Sequence, residues 1–495
     1  MPHELNAKTL SNLPSTVQGL KYDRSKVTAG IVHIGVGNFH RMHQEVIVNR
    51  VLALPNQEHW GVIGAGLGNS NSSKQKAKDL KDQDGLYTAT EFSSDGSQTT
   101  EVIGSLLDYL LVPDEPEKFL DVLASPNIRI VGLTITEGGY NIDEDSGEFK
   151  LDTPDVAEEL KTNKPRTVFG YIVEALDRRR KAGVAPFTVA SCDNLRGNGD
   201  TARTAFVGFA KAKDASLAEW IDKNVTFPNS MVDRIVPSVG SKQLEHLNSL
   251  SGINDKQPVY GETFLQWVVE DKFCNGRPEL GEVGVQLRND VPLFETMKGR
   301  VLNATHSVLA YPAILSGIEL VYEAMDNKPI YDFVTRFVNE DTLPILEGPP
   351  GVDKKEYTQA VLDRFSNRAV ADQMLRIGHY GSAKIPVFHR KTIETLLKDN
   401  GHIDREAFSL ACFARYLEGV DDNGKKFEVV EPALSKKDWE ELKSDDSLGV
   451  LRTSPLAPLK LDKNERFVEA FALASKTIAE VGVQRALKEK NDGRW

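Results

Sequence analysis

Hydrophobic residues recur at helical spacing over residues 291–311, and Pro292 suits the first turn of a helix. The apolar positions of this predicted helix are Leu293, Phe294, Met297, Val301, Leu302, Val308 and Leu309. Three polar residues, Lys298, Asn303 and His306, interrupt this apolar pattern. The helix is therefore predicted to carry a small polar set within a mostly buried surface.

The angular positions of these polar residues suggest a chemical use. At about 100° per residue, Asn303 lies about 140° and His306 about 80° around the axis from Lys298, so all three can line one broad face about 12 Å long. An amine, an amide and an imidazole on one face can deprotonate and orient an alcohol. The alternative is an amphipathic helix whose polar side meets water.

A second pattern lies near the start of the chain, where a short apolar run at 30–34 precedes two glycines and a helix-like segment to residue 54. A strand, a glycine turn and a helix form a mononucleotide-binding unit, because the helix start offers free N–H groups to a pyrophosphate and glycine permits its close approach. His40 stands where a third glycine is expected, so an ordinary strand-to-helix turn is the alternative. The predicted cofactor-binding residues of this turn are Ile34, Gly35, Val36, Gly37, Asn38, Phe39 and His40.

The apolar run at 60–66 predicts the next parallel strand. In NAD-binding units an acidic residue commonly follows this strand and holds the ribose hydroxyls. Here residues 67–74 contain no acid, and Lys74 brings a positive charge. We therefore expect that NADP is tolerated as a cofactor.

Two further predicted strands, at 128–133 and 187–191, end in polar residues. Ligands of open parallel sheets bind beyond the carboxyl ends of the strands. Glu137, Asp193 and Asn194 are therefore candidate site residues, with Glu137 assigned to the cofactor. The alternative is that each is a loop or helix-capping residue.

The order of the predicted elements gives the fold class. Helical patterns at 118–124, 166–181 and 201–224 alternate with the strands, which predicts an α/β fold with an N-terminal Rossmann-type doubly wound sheet domain at 1–290. A mainly α-helical C-terminal domain is predicted at 291–495, and a late strand of the first domain at 283–286. The predicted helical segments of this second domain are 293–325, 328–339, 355–378, 390–398, 403–418 and 464–490, with an exposed excursion at 419–447.

Composition narrows the functional class. The 495 residues include 60 Lys and Arg against 72 Asp and Glu, and the net charge of −12 argues against nucleic-acid or anionic-membrane binding. No apolar run approaches the roughly 20 residues that span a bilayer, and the N-terminus has no signal-peptide or transit pattern. The three cysteines, Cys192, Cys274 and Cys412, are scattered, so neither disulfides nor a structural zinc site are expected. We expect a cytoplasmic protein.

Four motifs together resemble the polyol-specific long-chain dehydrogenase family. They are the stretches 31–41, 134–140 and 191–194 and the helix pattern Lys298-x4-Asn303-x2-His306. The resemblance extends over nearly the whole chain and includes 231–234 and 364–367. The lysine–asparagine–histidine pattern is its most specific part. In that family the histidine in place of the third glycine is usual, so His40 supports the match.

The resemblance implies a monomeric, NAD-dependent and metal-independent enzyme that interconverts polyols and ketoses. It makes Lys298 the general base, Asn303 and Asn194 the ligands of the reacting oxygen, and His306 an orienting residue. The substrate-binding residues that it implies are Asp233, Arg376 and Lys384. Lysine has a reference pKa of about 10.4, so burial must lower it, and two amide donors can stabilise the alkoxide that develops as hydride leaves.

Three alternatives stay open at this point. A zinc-dependent polyol dehydrogenase would use His40 and His43, although cysteine ligands at zinc spacing are missing. A hexuronate (fructuronate or tagaturonate) reductase or a D-arabinitol dehydrogenase of the same family would share the lysine base. A non-catalytic nucleotide sensor would have lost the lysine–asparagine–histidine set, which here is intact.

Overall fold

The computed structural model describes residues 3–143, 146–444 and 446–494. The chain divides into two compact units, Met1–Pro292 and Leu293–Trp495.

The first unit contains the strands and the flanking helices. Its strands are β1 His3–Glu4, β2 Val17–Gln18, β3 Ala29–Ile34, β4 Gly61–Gly66, β5 Tyr87–Phe92, β6 Gln98–Ile103, β7 Leu106–Leu111, β8 Ile130–Leu133, β9 Thr188–Ser191, β10 Ser230–Asp233, β11 Ile253–Asn254, β12 Val259–Glu262, β13 Gln266–Val269 and β14 Gln286–Leu287. Its helices are α1 Asn38–Met42, α2 Gln44–Val51, α3 Asn71–Asp82, α4 Pro116–Ala124, α5 Pro154–Thr162, α6 Val168–Ala182, α7 Asn198–Lys213, α8 Ala215–Asn224 and α9 Ser241–Ser251.

The central sheet of this unit is parallel, with the strand order β7-β4-β3-β8-β9. This order reverses direction at β3, as in dinucleotide-binding folds. The pairing places Ile34 beside Ala65 and Leu133, and Leu133 beside Ser191. The segments that follow β3, β8 and β9 therefore leave the sheet along one edge. The predicted α/β class is confirmed.

The core lies on both faces of this sheet. Val32 and Ile34 pack in a cluster with helices α4, α6 and α7, while Ile31 packs in a second cluster with α2 and α3. A strand covered on both faces has little room for polar residues, which explains its almost continuous apolar sequence.

Within the described residues the unit also has three smaller sheets, none of which was predicted. Their strand orders are β12-β5-β6-β2, with β5 and β6 antiparallel, β10-β13-β14, and β1-β11. Two details of the prediction are wrong. Residues 280–283 form a 3₁₀ turn, so that β14 begins only at Gln286. The predicted helix at 201–224 is split at Asp214, whose extended backbone ends α7 and whose carboxylate caps α8.

The second unit is helical. Its first helix, α10 Val291–Lys298, begins at the junction, and the others are α11 Ala304–Leu315, α12 Val321–Asp326, α13 Lys328–Arg336, α14 Lys354–Phe365, α15 Met374–Gly378, α16 Gly381–Phe388, α17 Arg390–Lys398, α18 Asp404–Tyr416, α19 Lys436–Glu441, α20 Glu465–Val481 and α21 Val483–Asn491. Helix α11 is buried along nearly its whole length, and α13, α15, α16 and α18 pack against it. It is therefore the central element of this unit.

A π-helical turn, Gly299–Asn303, joins α10 to α11. The Ala304 N–H donates to the Gly299 carbonyl five residues back, instead of the usual four. Such a turn accommodates one extra residue, so Asn303 lies about where the fourth residue after Lys298 would lie in a regular α-helix, about 40° around the axis. The separation of about 140° expected between Lys298 and Asn303 from uniform α-helical geometry is therefore too large.

The segment 419–447 was predicted to be an exposed excursion, but part of it is buried. Asp421, Glu431, Leu434 and Asp438 are buried, and α19 lies within the segment. The predicted helix at 355–378 also breaks into α14 and α15. Helix α16, which was not predicted, follows and contains Pro386 in its interior. Across the described ranges, every helix is too short or too polar to cross a membrane.

Candidate active site

The glycine turn follows β3 and leads into α1. Gly35 has φ +95°, and a Cβ there would lie 2.0 Å from the Thr134 carbonyl oxygen, so only glycine fits. At Gly37, in contrast, the nearest atom to a Cβ would be the Gly35 carbonyl oxygen at 3.9 Å. Open space beside a glycine at the carboxyl edge of the sheet fits a pyrophosphate group.

Most side chains of the turn are engaged within the protein. The Asn38 side-chain oxygen accepts from Arg41 Nη2 at 2.8 Å, and the His40 ring stacks on His33 with centroids 3.4 Å apart. Phe39 packs beside His43, with ring centroids 4.9 Å apart. The His40 ring is therefore buried within the protein, and the side-chain oxygen of Asn38 is already engaged.

The stacked histidines are neutral. Burial lowers the pKa of His33 to about 3 and the pKa of His40 well below its ordinary value. The Thr134 hydroxyl donates to the Gly35 carbonyl at 2.6 Å, so His33 Nε2 donates to Thr134 Oγ1 at 2.8 Å. This chain of contacts ties the segment after β8 to the glycine turn.

Asp193 shapes the same edge from the segment after β9. Its carboxylate accepts from the N–H groups of Ile135 at 3.0 Å and Thr136 at 2.9 Å, and from the Tyr140 hydroxyl at 2.7 Å. Thr136 has φ +67° and ψ 163°, a conformation that only glycine adopts without strain. Of the three polar candidates at this edge, Asp193 is thus a buried structural residue, whereas Glu137 and Asn194 are exposed.

Sequence reasoning missed Lys76 of helix α3. Its ammonium group donates to the Val36 carbonyl of the glycine turn and lies 6.0 Å from the centre of the Tyr109 ring. Burial, with a smaller contribution from the charge of Arg41, lowers the pKa of Lys76 to about 7. Lys74, which the sequence suggested, is exposed. Residues two positions apart in sequence lie about 200° apart around a helix, so only one of Lys74 and Lys76 can face the glycine turn.

Asp233 lies at the end of β10 and is buried, with 3% of its surface exposed. The neighbouring Arg234 donates to the Glu262 and Met42 carbonyls at 2.9 and 2.6 Å and pairs with Glu91 at 2.7 Å. Within the predicted motif at 231–234, Arg234 therefore joins strands of this unit, while Asp233 is the candidate for substrate contact.

In the second unit, Lys298, Asn303 and His306 surround the π turn. Lys298 is only 8% exposed, and Asn303 and His306 are half-buried. The His306 ring stacks on Phe365 of α14, with centroids 4.5 Å and planes 24° apart. The structure thus places these three predicted residues within one short stretch, 298–306, around the π turn.

Arg376 and Lys384 lie on α15 and α16. Arg376 Nε donates to Asp372 at 2.7 Å, and Lys384 Nζ donates to the Ile377 carbonyl at 3.0 Å. The Tyr311 hydroxyl of α11 donates to the Gly378 carbonyl at 3.3 Å. Both candidate substrate residues therefore belong to a segment that is fastened to the helix of Asn303 and His306.

The two histidines considered as zinc ligands make different contacts. His40 stacks on His33, whereas His43 Nε2 lies 2.9 Å from the Gln266 carbonyl oxygen. Within the part of the chain that the structure describes, no three His, Cys, Asp or Glu side chains are grouped to hold a metal ion.

A glycine turn at the switch point of a parallel sheet, with a separate helical unit that presents a buried lysine, defines the class of nicotinamide-dependent dehydrogenases built on a Rossmann domain. Two protein-family models match the chain and agree with this class. The mannitol dehydrogenase Rossmann domain matches residues 29–282, and the mannitol dehydrogenase C-terminal domain matches residues 290–479. The chain belongs to the mannitol dehydrogenase family, and the predicted resemblance is confirmed.

Three relatives illustrate the similarity. A polyol:NADP oxidoreductase of Gluconobacter oxydans is 44% identical over 98% of this chain and 99% of its own length. A D-sorbitol dehydrogenase solved in substrate-free form has a TM-score of 0.90 and 43% identity, over 98% of this chain and all of that one. A Pseudomonas fluorescens mannitol 2-dehydrogenase solved with NAD and D-mannitol has a TM-score of 0.89 and 38% identity, over 98% and 99% of the two chains.

Proposed function

We propose that this protein is a metal-independent mannitol 2-dehydrogenase that interconverts D-mannitol and D-fructose, with Lys298 as the general base. The observation that supports the proposal is the π turn beside the buried Lys298, because one extra residue absorbed in the turn brings Asn303 to the same face of the helix as Lys298. A base and a hydrogen-bond donor side by side are what the oxidation of an alcohol requires. The Pseudomonas fluorescens relative, whose complex contains D-mannitol, supports the choice of substrate.

The proposed roles follow from the chemistry of each side chain. Lys298 Nζ takes the hydroxyl proton, and the Asn303 amide donates to the oxygen on which negative charge develops. Asn194 is assigned as a second amide donor by family resemblance. His306, held by its stacking on Phe365, orients the substrate beside Lys298. The glycine turn at Gly35 and Gly37 would hold the oxidised nicotinamide cofactor, which would supply the acceptor for the hydride of the carbinol carbon.

Three residues are assigned to the remaining hydroxyls of the polyol by the same resemblance. They are Asp233, Arg376 and Lys384. A carboxylate accepts hydrogen bonds from hydroxyl groups, whereas a guanidinium and an ammonium donate to them, so the set can recognise a polyol.

We infer that the cofactor is NAD and that NADP is accepted. The open space at Gly37 supports a dinucleotide, and residues 67–74 contain no acid that would repel a 2′-phosphate. Lys76 places a titratable amine beside the glycine turn. The name of the Gluconobacter oxydans relative, a polyol:NADP oxidoreductase, supports acceptance of NADP.

A substrate panel tests this proposal. Initial rates would be measured with D-mannitol, D-sorbitol, D-arabinitol, fructuronate and tagaturonate, each with NAD and NADP in the appropriate redox state. We expect the highest kcat/KM for D-mannitol and no effect of a metal chelator. Preferential reduction of a hexuronate, or loss of activity on chelation, would overturn the proposal. D-Sorbitol is the second candidate substrate, because a D-sorbitol dehydrogenase is 43% identical to this chain.

We also infer that the protein acts as a monomer on small-molecule polyols and ketoses. Light scattering on a size-exclusion column tests this, with 54.8 kDa as the expected mass. A mass of twice this value at assay concentrations would contradict it.

A further inference from the structure

Glu431 is a buried carboxylate in the segment between α18 and α19, with 5% of its surface exposed. It accepts hydrogen bonds from the Gly381 N–H at 2.7 Å, the Ser382 N–H at 2.8 Å and the Ser382 hydroxyl at 2.5 Å. Such bonds to a charged acceptor are among the stronger ones in proteins. A residue about fifty positions further along the chain thus holds the first residues of α16.

The bonded N–H groups belong to the first turn of α16, where no helical carbonyl can accept them. The residue before this turn, Tyr380, has φ +62°, and its N–H donates to the Val430 carbonyl at 2.9 Å. A left-handed conformation at a tyrosine is strained and persists only where its surroundings impose it. The 430–431 backbone and the Glu431 side chain together impose the direction in which α16 starts.

A tyrosine of the central helix holds the same point from another side. A Cβ at Gly381 would lie 2.0 Å from the Tyr311 hydroxyl oxygen, so the start of α16 touches α11 directly. The same hydroxyl donates to the Gly378 carbonyl. The beginning of α16 is therefore clamped between Tyr311 and Glu431.

Lys384 lies one turn into the helix that is held in this way. Its ammonium group donates to the Ile377 carbonyl. Burial raises the pKa of Glu431, and the nearby charge of Lys384 opposes this rise without cancelling it. A shift of the first turn of α16 would therefore move the Lys384 side chain.

We propose that Glu431 is a positioning residue for substrate recognition, because its capping of α16 sets Lys384 for a hydroxyl group of the polyol. The inference rests on the proposed function, in which Lys384 binds the substrate. Glu431 itself does not act on the reacting atoms.

The chain offers a matched control in Asp438. This carboxylate is 4% exposed and accepts from the N–H groups of Ser435 and Ser454, both at 2.7 Å, and from their hydroxyls at 2.7 and 2.9 Å. It caps α19, which carries no candidate substrate residue. Asp438→Asn therefore removes a similar capping charge without touching α16.

The test is a double-mutant cycle of Glu431→Gln and Lys384→Met, with kcat and KM for D-mannitol, cofactor Kd and Tm measured for each variant. Glutamine keeps one acceptor oxygen where two are used, so we expect KM to rise about tenfold, with kcat changed less and cofactor Kd unchanged. In the Lys384→Met background the same substitution should change KM less than twofold, because coupled residues are not additive. Asp438→Asn should lower Tm and leave KM unchanged.

Each outcome decides one question. Additive effects of the two substitutions, or an equal rise of KM in Asp438→Asn, would show a merely structural role and overturn the inference. A rise of KM in Lys384→Met but not in Glu431→Gln would refute the inference and leave the proposed function standing. An unchanged KM in Lys384→Met would refute the substrate role of Lys384 itself. If Glu431→Gln does not fold, Ser382→Ala, which removes one of the three bonds, takes its place in the cycle.

Discussion

Replacing Lys298 by alanine removes the group that we assign as the proton acceptor. Alanine is a good helix former, so the backbone on either side of the π turn should be preserved. A general base contributes about 10²–10⁴-fold to the rate, which corresponds to about 2.7–5.4 kcal/mol of barrier. The Asn303 amide stays in place and continues to stabilise the developing charge, a contribution of about 2.7–4 kcal/mol. We therefore predict a slow but measurable enzyme.

The assay is single-turnover oxidation of D-mannitol, followed by the absorbance of the reduced nicotinamide. In the wild type the rate should rise with pH through one ionisation below lysine's reference value of about 10.4, because only the neutral amine accepts a proton. Lys298→Ala should lose this ionisation and bind cofactor normally. Small amines in the buffer should restore part of the rate by entering the vacated space.

A surface lysine of the same unit provides the control. Lys328 is 82% exposed and pairs with Asp332 one helical turn away, so Lys328→Ala should leave the rate and its pH profile unchanged. Near-normal turnover in Lys298→Ala, with the wild-type pH profile, would refute the assignment of the base. A loss of cofactor binding in that variant would instead indicate a structural defect.

Three variants and one pH profile test the cofactor site. Gly37→Val should fold normally, because the nearest atom to its Cβ lies 3.9 Å away. Fluorescence titration should show that the variant binds reduced cofactor at least about tenfold more weakly than the wild type. An unchanged affinity would show that the pyrophosphate does not bind at Gly37. Gly35→Ala should instead lower Tm, since its Cβ meets the Thr134 carbonyl at 2.0 Å, and an unchanged Tm would contradict that geometry. Lys76→Met should raise KM for NADP more than KM for NAD. Because the pKa of Lys76 is about 7 and its cationic form dominates below that value, wild-type KM for NADP should rise as pH increases through 7, and a flat profile would argue against a phosphate contact.

Four of the five strands that the structure describes in the central sheet were predicted, because runs such as 30–34 and 128–133 have almost no polar residues, as expected of parallel strands buried on both faces. Strand β7, Leu106–Leu111, was not predicted, although its sequence is also mostly apolar. Strands β5 and β6 contain residues that favour strands, such as threonine and tyrosine, but their polar residues leave no continuous apolar run. The prediction relied on such runs and therefore missed both strands.

The candidate site was predicted as a set of residues but not as a geometry. The residues between Lys298 and Asn303 do not specify a π turn, because the glycine at 299 weakens an α-helix without indicating a wider turn, and arginine, valine and leucine all occur in α-helices. Which lysine lies beside the glycine turn depends on how α3 is rotated about its own axis, and the structure places Lys76 there instead of Lys74. Glu431 lies in a charged segment, and only the fold shows that its carboxylate is buried.

The π turn also bears on whether this helix can tolerate the insertion or deletion of one residue. Inserting one residue into an α-helix rotates everything beyond it by about 100° and would normally scatter a set of aligned side chains. A single wider turn absorbs the extra residue, so the faces before and after it keep their alignment. The spacing Lys-x4-Asn is thus the α-helical spacing Lys-x3-Asn with one residue added. A chain one residue shorter at this point should carry the same amine, amide and imidazole on one face of a regular α-helix.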